Sequence, residues 1–249
     1  MTIGLAFAAQ SHAAWSPPFA ISDGPSAGDP VLAAASTRQD AFVVWRSGSA
    51  VAARHIAADG TRGAIRRLGT EGDLAWGPTP LLDRSGALVV AWYGPDDELL
   101  VRRLGPGGKL GATRQLAPAS MIGHYPYLEA RAAVDQEGVV TVVWPRVITQ
   151  SVEPKGFRTL SATVHARRID ADGALGPIVD LGTGGTNLAP RVAVDPSGRA
   201  TIAWIQDVGS GFGVRAATLD PDGTIGPVRD VSESHRFSSG DGPELAVDA

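Results

Sequence analysis

The chain contains no cysteine, only 6% aromatic residues and no long apolar run. Without cysteine it can form no disulfide, zinc–thiolate site, iron–sulfur cluster or cysteine nucleophile. No stretch reaches the roughly 18 consecutive apolar residues that a transmembrane helix needs. The formal net charge is −4, and no basic stretch supplies the field that attracts phosphate backbones. We therefore expect neither a membrane span nor a nucleic-acid partner.

What the chain does contain is an internal repeat. Residues 51–68 align without a gap to residues 99–116, 164–181 and 214–231. Self-similarity at a spacing of roughly 50 residues is typical of propellers and other repeat arrays. Glycine (31) and proline (18) are abundant, as expected where many tight turns join short strands. The repeat therefore predicts an all-β chain of similar units.

Each repeat is predicted to contain four short strands, rich in Val, Ile, Ala and Thr. In the fourth copy these are residues 191–194, 200–204, 214–219 and 227–231. The sequences Asp-Pro-Ser-Gly (195–198) and Asp-Pro-Asp-Gly (220–223) suit type I turns that end in a left-handed glycine. They would join the first strand to the second and the third to the fourth, so each repeat is predicted to be an antiparallel meander.

Radial stacking of such meanders buries both faces of each sheet, so the sequence predicts a β-propeller of four-stranded antiparallel blades. The predicted full blades are residues 29–76, 77–125, 126–189 and 190–242. Residues 15–28 and 243–249 match the fourth and the first strand of a repeat. They predict a split, incomplete fifth blade; alternatively, the chain is a fragment of a larger propeller.

Residues 1–14 have two interpretations. Their short apolar run and small residues fit the end of a signal peptide, although a basic region in front of the run is missing. The alternative is an extra strand of the last blade.

A tryptophan closes the second strand of every repeat, at Trp45, Trp92, Trp144 and Trp204. A large aromatic side chain at one repeated register usually packs the core. We therefore expect these rings to fill the space between blades. The alternative is a ring of aromatic platforms for sugars.

Variation between the repeats points to one face of the disc. Two kinds of connecting segment differ in length from repeat to repeat: the segment between the second and third strands and the segment that leads to the next repeat. In a propeller these connections share one face, called here the loop face. The tight turns share the other, the hairpin face. Binding residues concentrate on variable loops held by a rigid scaffold, and residues 145–161 form the richest predicted loop. The candidate ligand-binding residues are Tyr93, Asp97, His124, Tyr125, Tyr127, Arg146, Arg158, Gln206, Asp207, His235 and Arg236.

No motif for catalysis, a metal or a cofactor stands out. Asp170-x-Asp172-Gly resembles the start of a calcium loop but lacks the further acidic ligands, so a hairpin turn is the better interpretation. The five histidines lack metal-ligand spacing. A glycosidase needs two carboxyl groups across the scissile bond. The carboxyl candidates on the loop face are Asp96, Asp97, Glu98, Glu129, Asp207 and Asp241.

The repeat pattern, with Ala-Val-Asp-x-x-Gly before the tryptophan and Asp-x-Asp-Gly after it, resembles bacterial secreted β-propeller repeat proteins, often labelled sialidase-like for their fold. The resemblance covers nearly the whole chain and implies a scaffold. Sialidases carry a Ser-x-Asp-x-Gly-x-x-Trp turn, whereas residues 219–226 here lack both the serine and the tryptophan. No catalytic residue is carried over from that family.

These observations predict a non-catalytic module, without a cofactor, that binds a glycan or an extracellular protein on its loop face. It would be extracellular or at the cell surface, as a monomer or as part of a longer chain. The alternatives are a glycoside hydrolase or lyase using loop carboxylates, and a purely structural repeat segment of a secreted protein.

Overall fold

A computed structural model describes residues 20–22, 27–34, 41–69, 76–122, 130–152, 156–183, 187–207, 211–232 and 242–246. These residues form sixteen β-strands and one 3₁₀ turn, Ala119–Met121. No helix in these ranges is long and apolar enough to cross a membrane. Residues 1–14 lie outside the described residues, so neither interpretation of that segment is tested.

The strands form four four-stranded sheets, and in each sheet the strands follow chain order with antiparallel neighbours. Blade 1 contains β1 (Ala27–Ala34), β2 (Ala41–Ser47), β3 (Ala50–Ile56) and β4 (Arg66–Arg67). Blade 2 contains β5 (Trp76–Leu82), β6 (Leu88–Tyr93), β7 (Leu99–Leu104) and β8 (Arg114–Ala117). Blade 3 contains β9 (Arg131–Val134), β10 (Val140–Val152), β11 (Gly156–Ile169) and β12 (Leu175–Thr183). Blade 4 contains β13 (Asn187–Val194), β14 (Ala200–Asp207), β15 (Phe212–Leu219) and β16 (Arg229–Asp230).

The predicted fold is therefore confirmed: the protein is a β-propeller of four-stranded blades. The first strands lie side by side, with β1 next to β5, β5 next to β9, and β9 next to β13. Among the described residues no comparable contact joins β13 back to β1. The split fifth blade stays a prediction.

Three apolar clusters occupy the seams between successive blades. Each seam buries a tryptophan, and Trp92, Trp144 and Trp204 are each 0% exposed. Trp45 is 3% exposed. The structural interpretation is confirmed for Trp92, Trp144 and Trp204, because rings enclosed between sheets cannot serve as sugar platforms.

The predicted hairpin turns are also present. Asp195 Oδ1 accepts hydrogen bonds from Ser197 Oγ at 2.6 Å and from the backbone N–H of Arg199 at 3.0 Å. Gly198 has a φ of +82° and Gly223 a φ of +89°, in the left-handed region that favours glycine. These turns hold the ends of all four strands in blade 4.

Two arginines repeat one contact between blades. Arg102 donates from Nε to Gly111 O at 2.8 Å and from Nη1 to Leu68 O at 2.7 Å, the latter in the preceding blade. Arg167 makes the same pair of bonds to Gly176 O at 2.7 Å and Leu116 O at 2.6 Å. Each side chain thereby ties the third strand of its own blade to the fourth strand of the blade before.

The predicted loop at residues 145–161 is instead part of a long β-hairpin. Strands β10 and β11 continue to pair beyond the blade, through Thr149 opposite Thr159 to Val152 opposite Gly156, with one irregularity after Ile148. Val, Ile and Thr dominate the segment 147–152 and favour extended backbone. Arg146 and Arg158, predicted on a loop, lie in these strands.

Candidate functional site

The described candidates lie where second strands end and third strands begin. Tyr93 ends β6, Asp97 lies in the following turn, and Arg146 and Arg158 lie in the long hairpin of blade 3. Gln206 and Asp207 end β14. The remaining candidates, His124, Tyr125, Tyr127, His235 and Arg236, lie outside the described residues. The loop face is therefore defined here by blades 2, 3 and 4.

In blade 2 the site is a tight turn. Gly94 N–H bonds to Glu98 O at 2.8 Å, and the Asp96 backbone N–H donates to Glu98 Oε2 at 3.0 Å. Asp97 is exposed and adopts a φ of +58°, which short polar residues tolerate better than most. Glu98 therefore holds its own turn, and Tyr93 packs against the core of the seam between blades 2 and 3.

In blade 4 the predicted amide lies against the buried tryptophan. Gln206 is only 7% exposed, and its Oε1 accepts a hydrogen bond from Trp204 Nε1 at 3.4 Å. Asp207, the next residue, is exposed. Gln206 thus extends the core, whereas Asp207 lies at the surface.

In blade 3 the register brings together a cluster that sequence analysis missed. Trp144 lies directly opposite His165, and their rings are 5.7 Å apart. His165 in turn lies opposite Asp180, and His165 Nδ1 is 2.5 Å from Asp180 Oδ1. Arg146, two residues after Trp144, shares the same face of β10. The only sequence signal was the position of His165 in a strand, and pairing it with Asp180 required the register.

Burial lowers the pKa of His165, the charge of Arg146 lowers it further, and Asp180 opposes both. His165 is therefore neutral at neutral pH. Because an ionised carboxylate can only accept, Nδ1 carries the proton and Nε2 keeps its lone pair. His165 Nε2 and Arg146 Nε are both buried, with no hydrogen-bond partner among the described residues.

Several carboxyl groups are committed to turns. Asp59, Asp195 and Asp222 each have a lowered pKa because they accept hydrogen bonds from the residue two positions later. All three are ionised at neutral pH and cannot serve as general acids. Asp172 Oδ1 likewise accepts a hydrogen bond from Ala174 N at 2.9 Å. The segment that resembles the start of a calcium loop is therefore a hairpin turn, as predicted.

Among the described residues no three His, Asp or Glu side chains are placed to hold a metal ion. Of the predicted carboxyl candidates, Glu129 and Asp241 lie outside the described residues.

A cleft of about 140 Å³ opens between blades 2 and 3. It is lined at one end by Asp172 and Gly173 of a third-to-fourth-strand turn, and so it opens toward the hairpin face. None of the described candidate residues lines it. The arginine pair Arg102–Arg103, visible in the sequence, borders it, but only the packing of two blades creates the space.

No known family model matches the sequence, and no curated protein matches it. Solved structures do share the fold. One is a protein of unknown function from Dyadobacter fermentans, with 12% identity, a TM-score of 0.51, and coverage of 84% of this chain and 70% of that one. Another is an ulvan lyase from a new family of polysaccharide lyase, with 9% identity, a TM-score of 0.50, and coverage of 84% and 59%.

A third is a protein of unknown function from Bacteroides caccae, with 14% identity, a TM-score of 0.43, and coverage of 80% of this chain and 60% of that one. The chain thus spans less than two thirds of the lyase and of the Bacteroides protein. These likenesses concern the fold. The propeller scaffold implied by the sequence resemblance is present, and its assignment to the sialidase-like group stays a prediction.

Proposed function

We propose that this chain is a non-catalytic binding module of an extracellular protein, which presents its loop face to a polysaccharide. One observation carries the proposal. In three successive blades a polar candidate that is exposed or partly exposed follows the buried tryptophan by two to five residues, as Asp97, Arg146 and Asp207. A rigid scaffold with polar groups repeated at one edge suits a ligand that is itself a repeating polar chain.

One described carboxyl group of the loop face is occupied by the fold itself. Glu98 Oε2 accepts a hydrogen bond from the backbone N–H of Asp96 in the turn of blade 2, which favours binding over catalysis at this position. The fold shared with an ulvan lyase makes a polysaccharide the first ligand class to test.

That same likeness favours the alternative, a polysaccharide hydrolase or lyase. In this case Asp97 and Asp207, both exposed on the loop face, would be the first candidates for the reaction, together with Glu129 and Asp241.

Affinity electrophoresis against a panel of neutral and acidic polysaccharides tests the proposal. We expect at least one polymer to retard the protein, with no release of reducing ends or unsaturated products. The Tyr125→Ala/Tyr127→Ala double variant and the Asp207→Ala variant should migrate faster in that polymer. Glu137→Ala replaces an exposed residue in a turn on the hairpin face and should not alter the migration. Depolymerisation would establish the enzyme instead, and failure of every polymer to retard the protein would overturn the glycan assignment.

A further inference from the structure

The cleft between blades 2 and 3 has an apolar floor. Val89 and Val101 from blade 2 and Val140 and Ile169 from blade 3 line it, and each is at most 5% exposed. The lining comes from β6, β7, β8, β10 and β11 with their turns. The first strands β5 and β9 contribute nothing, so the cleft is separate from the propeller axis.

Arginines form the wall of the cleft. Arg102, Arg103 and Arg114 line it, and Asp172 is the one acidic side chain among the lining residues. Arg102 borders the cleft, but its guanidinium group donates to Gly111 O and to Leu68 O of blade 1 and therefore belongs to the seam between blades 1 and 2. Only Arg103 and Arg114 direct charge toward the cleft.

The other two arginines differ from each other. Arg103 donates to Ala171 O at 2.8 Å and also pairs with Asp83, a buried carboxylate. Arg114 is exposed and has no hydrogen-bond or ion-pair partner among the described residues. The cleft therefore has one arginine held in place, Arg103, and a second, Arg114, whose donors are all available.

The corresponding positions of the seam between blades 1 and 2 are occupied differently. Phe42 pairs with His55 there, and their rings are 5.0 Å apart. In blade 2 the same register pairs Val89 with Arg103. A valine in place of a phenylalanine leaves room, and an arginine in place of a histidine adds permanent charge.

The seam between blades 3 and 4 also differs. Val179 pairs with Ala166 in blade 3, at the register where Arg114 pairs with Val101 in blade 2. An open floor beside Arg103 and Arg114 is thus a property of the seam between blades 2 and 3, not of the repeat.

We propose that this cleft binds the carboxylate or sulfate group of an acidic sugar, with the apolar floor against the sugar ring. A guanidinium group offers paired donors that match a carboxylate or sulfate oxyanion. The volume of about 140 Å³ is well below the roughly 300–1,000 Å³ of pockets that enclose whole drug-sized ligands. The cleft can therefore hold one terminal or branching sugar residue, but not a longer stretch of polysaccharide. The choice of a sugar as carrier rests on the proposed function, while the oxyanion site rests on the cleft alone.

Titration of the purified protein with glucuronate, glucose and inorganic sulfate, followed by calorimetry and NMR, tests this proposal. We expect glucuronate to bind and glucose to bind at least tenfold more weakly, because charge-assisted hydrogen bonds supply most of the affinity. Added salt should weaken the binding. Equal affinity for glucose would overturn the oxyanion site. Inorganic sulfate binding as tightly as glucuronate would overturn the sugar as carrier.

Variants locate the site. Arg114→Ala should weaken glucuronate binding about tenfold or more. Arg66→Ala, at the same fourth-strand position of blade 1 where Arg66 pairs with Ala53, should leave it unchanged. Ala112→Glu places a carboxylate on an exposed lining position and should compete with the ligand. Unchanged binding in both Arg114→Ala and Ala112→Glu would overturn the assignment.

The same variants separate this site from the loop face. Arg114→Ala should keep any polysaccharide retardation that depends on Tyr125 and Tyr127. If no polysaccharide retards the protein but glucuronate binds and Arg114→Ala abolishes it, the loop-face function fails and the cleft stands.

Discussion

Arg54 Nη1 donates a hydrogen bond to the carbonyl of Ile21 at 2.8 Å, across 33 positions of sequence. Its Nε donates to Gly63 O at 2.9 Å. This is the arrangement by which Arg102 contacts Leu68 and Arg167 contacts Leu116. Ile21 therefore contacts blade 1 in the same way that the end of a fourth strand contacts the blade that follows it.

The other end of the chain shows a matching contact. Arg191 lies in the first strand of blade 4, and its Nε is 4.0 Å from Glu244 Oε1. In blade 2 the corresponding residue, Thr79, donates to Ala130 O at 2.9 Å in the segment leading into the first strand of the next blade. The split fifth blade, with residues near Ile21 as its fourth strand and residues near Glu244 as its first, stays a prediction, since residues 20–22 and 242–246 form no strand.

The inter-blade arginine contact should contribute measurably to stability. Arg167→Ala leaves two backbone carbonyls without their donor, and we expect a loss of about 1–2 kcal/mol in the free energy of unfolding. Arg199→Ala, which removes an exposed pair with Asp220, should change it little because surface ion pairs are screened. Urea denaturation of both variants measures this, and equal losses would contradict a special role for Arg167.

His165 should make stability depend on pH. Its pKa is lowered in the folded protein from a reference value of 6.5, so the unfolded chain binds more protons just below that value. Stability is therefore highest above about pH 6.5 and falls as the pH drops below it. Denaturation at about pH 7.5 and about pH 5.5 should show a smaller difference for His165→Gln than for the wild type. His55→Gln is the matched control; if it reduced the difference equally, the assignment to His165 would be wrong.

The left-handed turn glycines should resist substitution for conformational reasons alone. A Cβ on Gly223 would meet no atom within 4 Å, but its φ is +89°. Gly223→Ala should therefore cost about 1 kcal/mol or slightly more. Gly107→Ala, in the corresponding turn of blade 2, also meets open space and lacks the positive φ, so it should cost nothing. Thermal unfolding of the two variants compares them, and parallel shifts in Tm would refute the argument.

The seam tryptophans should be among the most sensitive positions. Trp204 is 0% exposed, and Trp204→Ala should destabilise the protein by about 3–5 kcal/mol through lost burial and the resulting cavity. Val231→Ala, at a side chain 63% exposed, should stay within about 0.5 kcal/mol of the wild type. Guanidinium unfolding followed by circular dichroism provides the measurement, and a small effect at Trp204 would argue against tight packing of the blades.

Prediction from the sequence worked best where signals are local and repeated. The turns around Gly198 and Gly223, the second strands that contain the tryptophans, and the burial of those rings all follow from short patterns that recur at one register. The prediction failed at residues 145–161, where length alone suggested a loop. The β-branched residues there continue strand β10 to Val152. Pairing with β11 gives hydrogen-bond partners to backbone N–H and C=O groups that in a loop would bond to water.

The amino-acid sequence by itself determined the blade, because turn chemistry and the alternation of apolar residues act within about 50 residues. Only the tertiary structure decided which side chains meet across strands and seams. His165 faces Asp180 and Trp144 because of pairing register. The cleft beside Arg114 exists because Val89 in blade 2 leaves space that Phe42 occupies in blade 1. Such contacts join side chains from different strands and blades, so no local pattern encodes them.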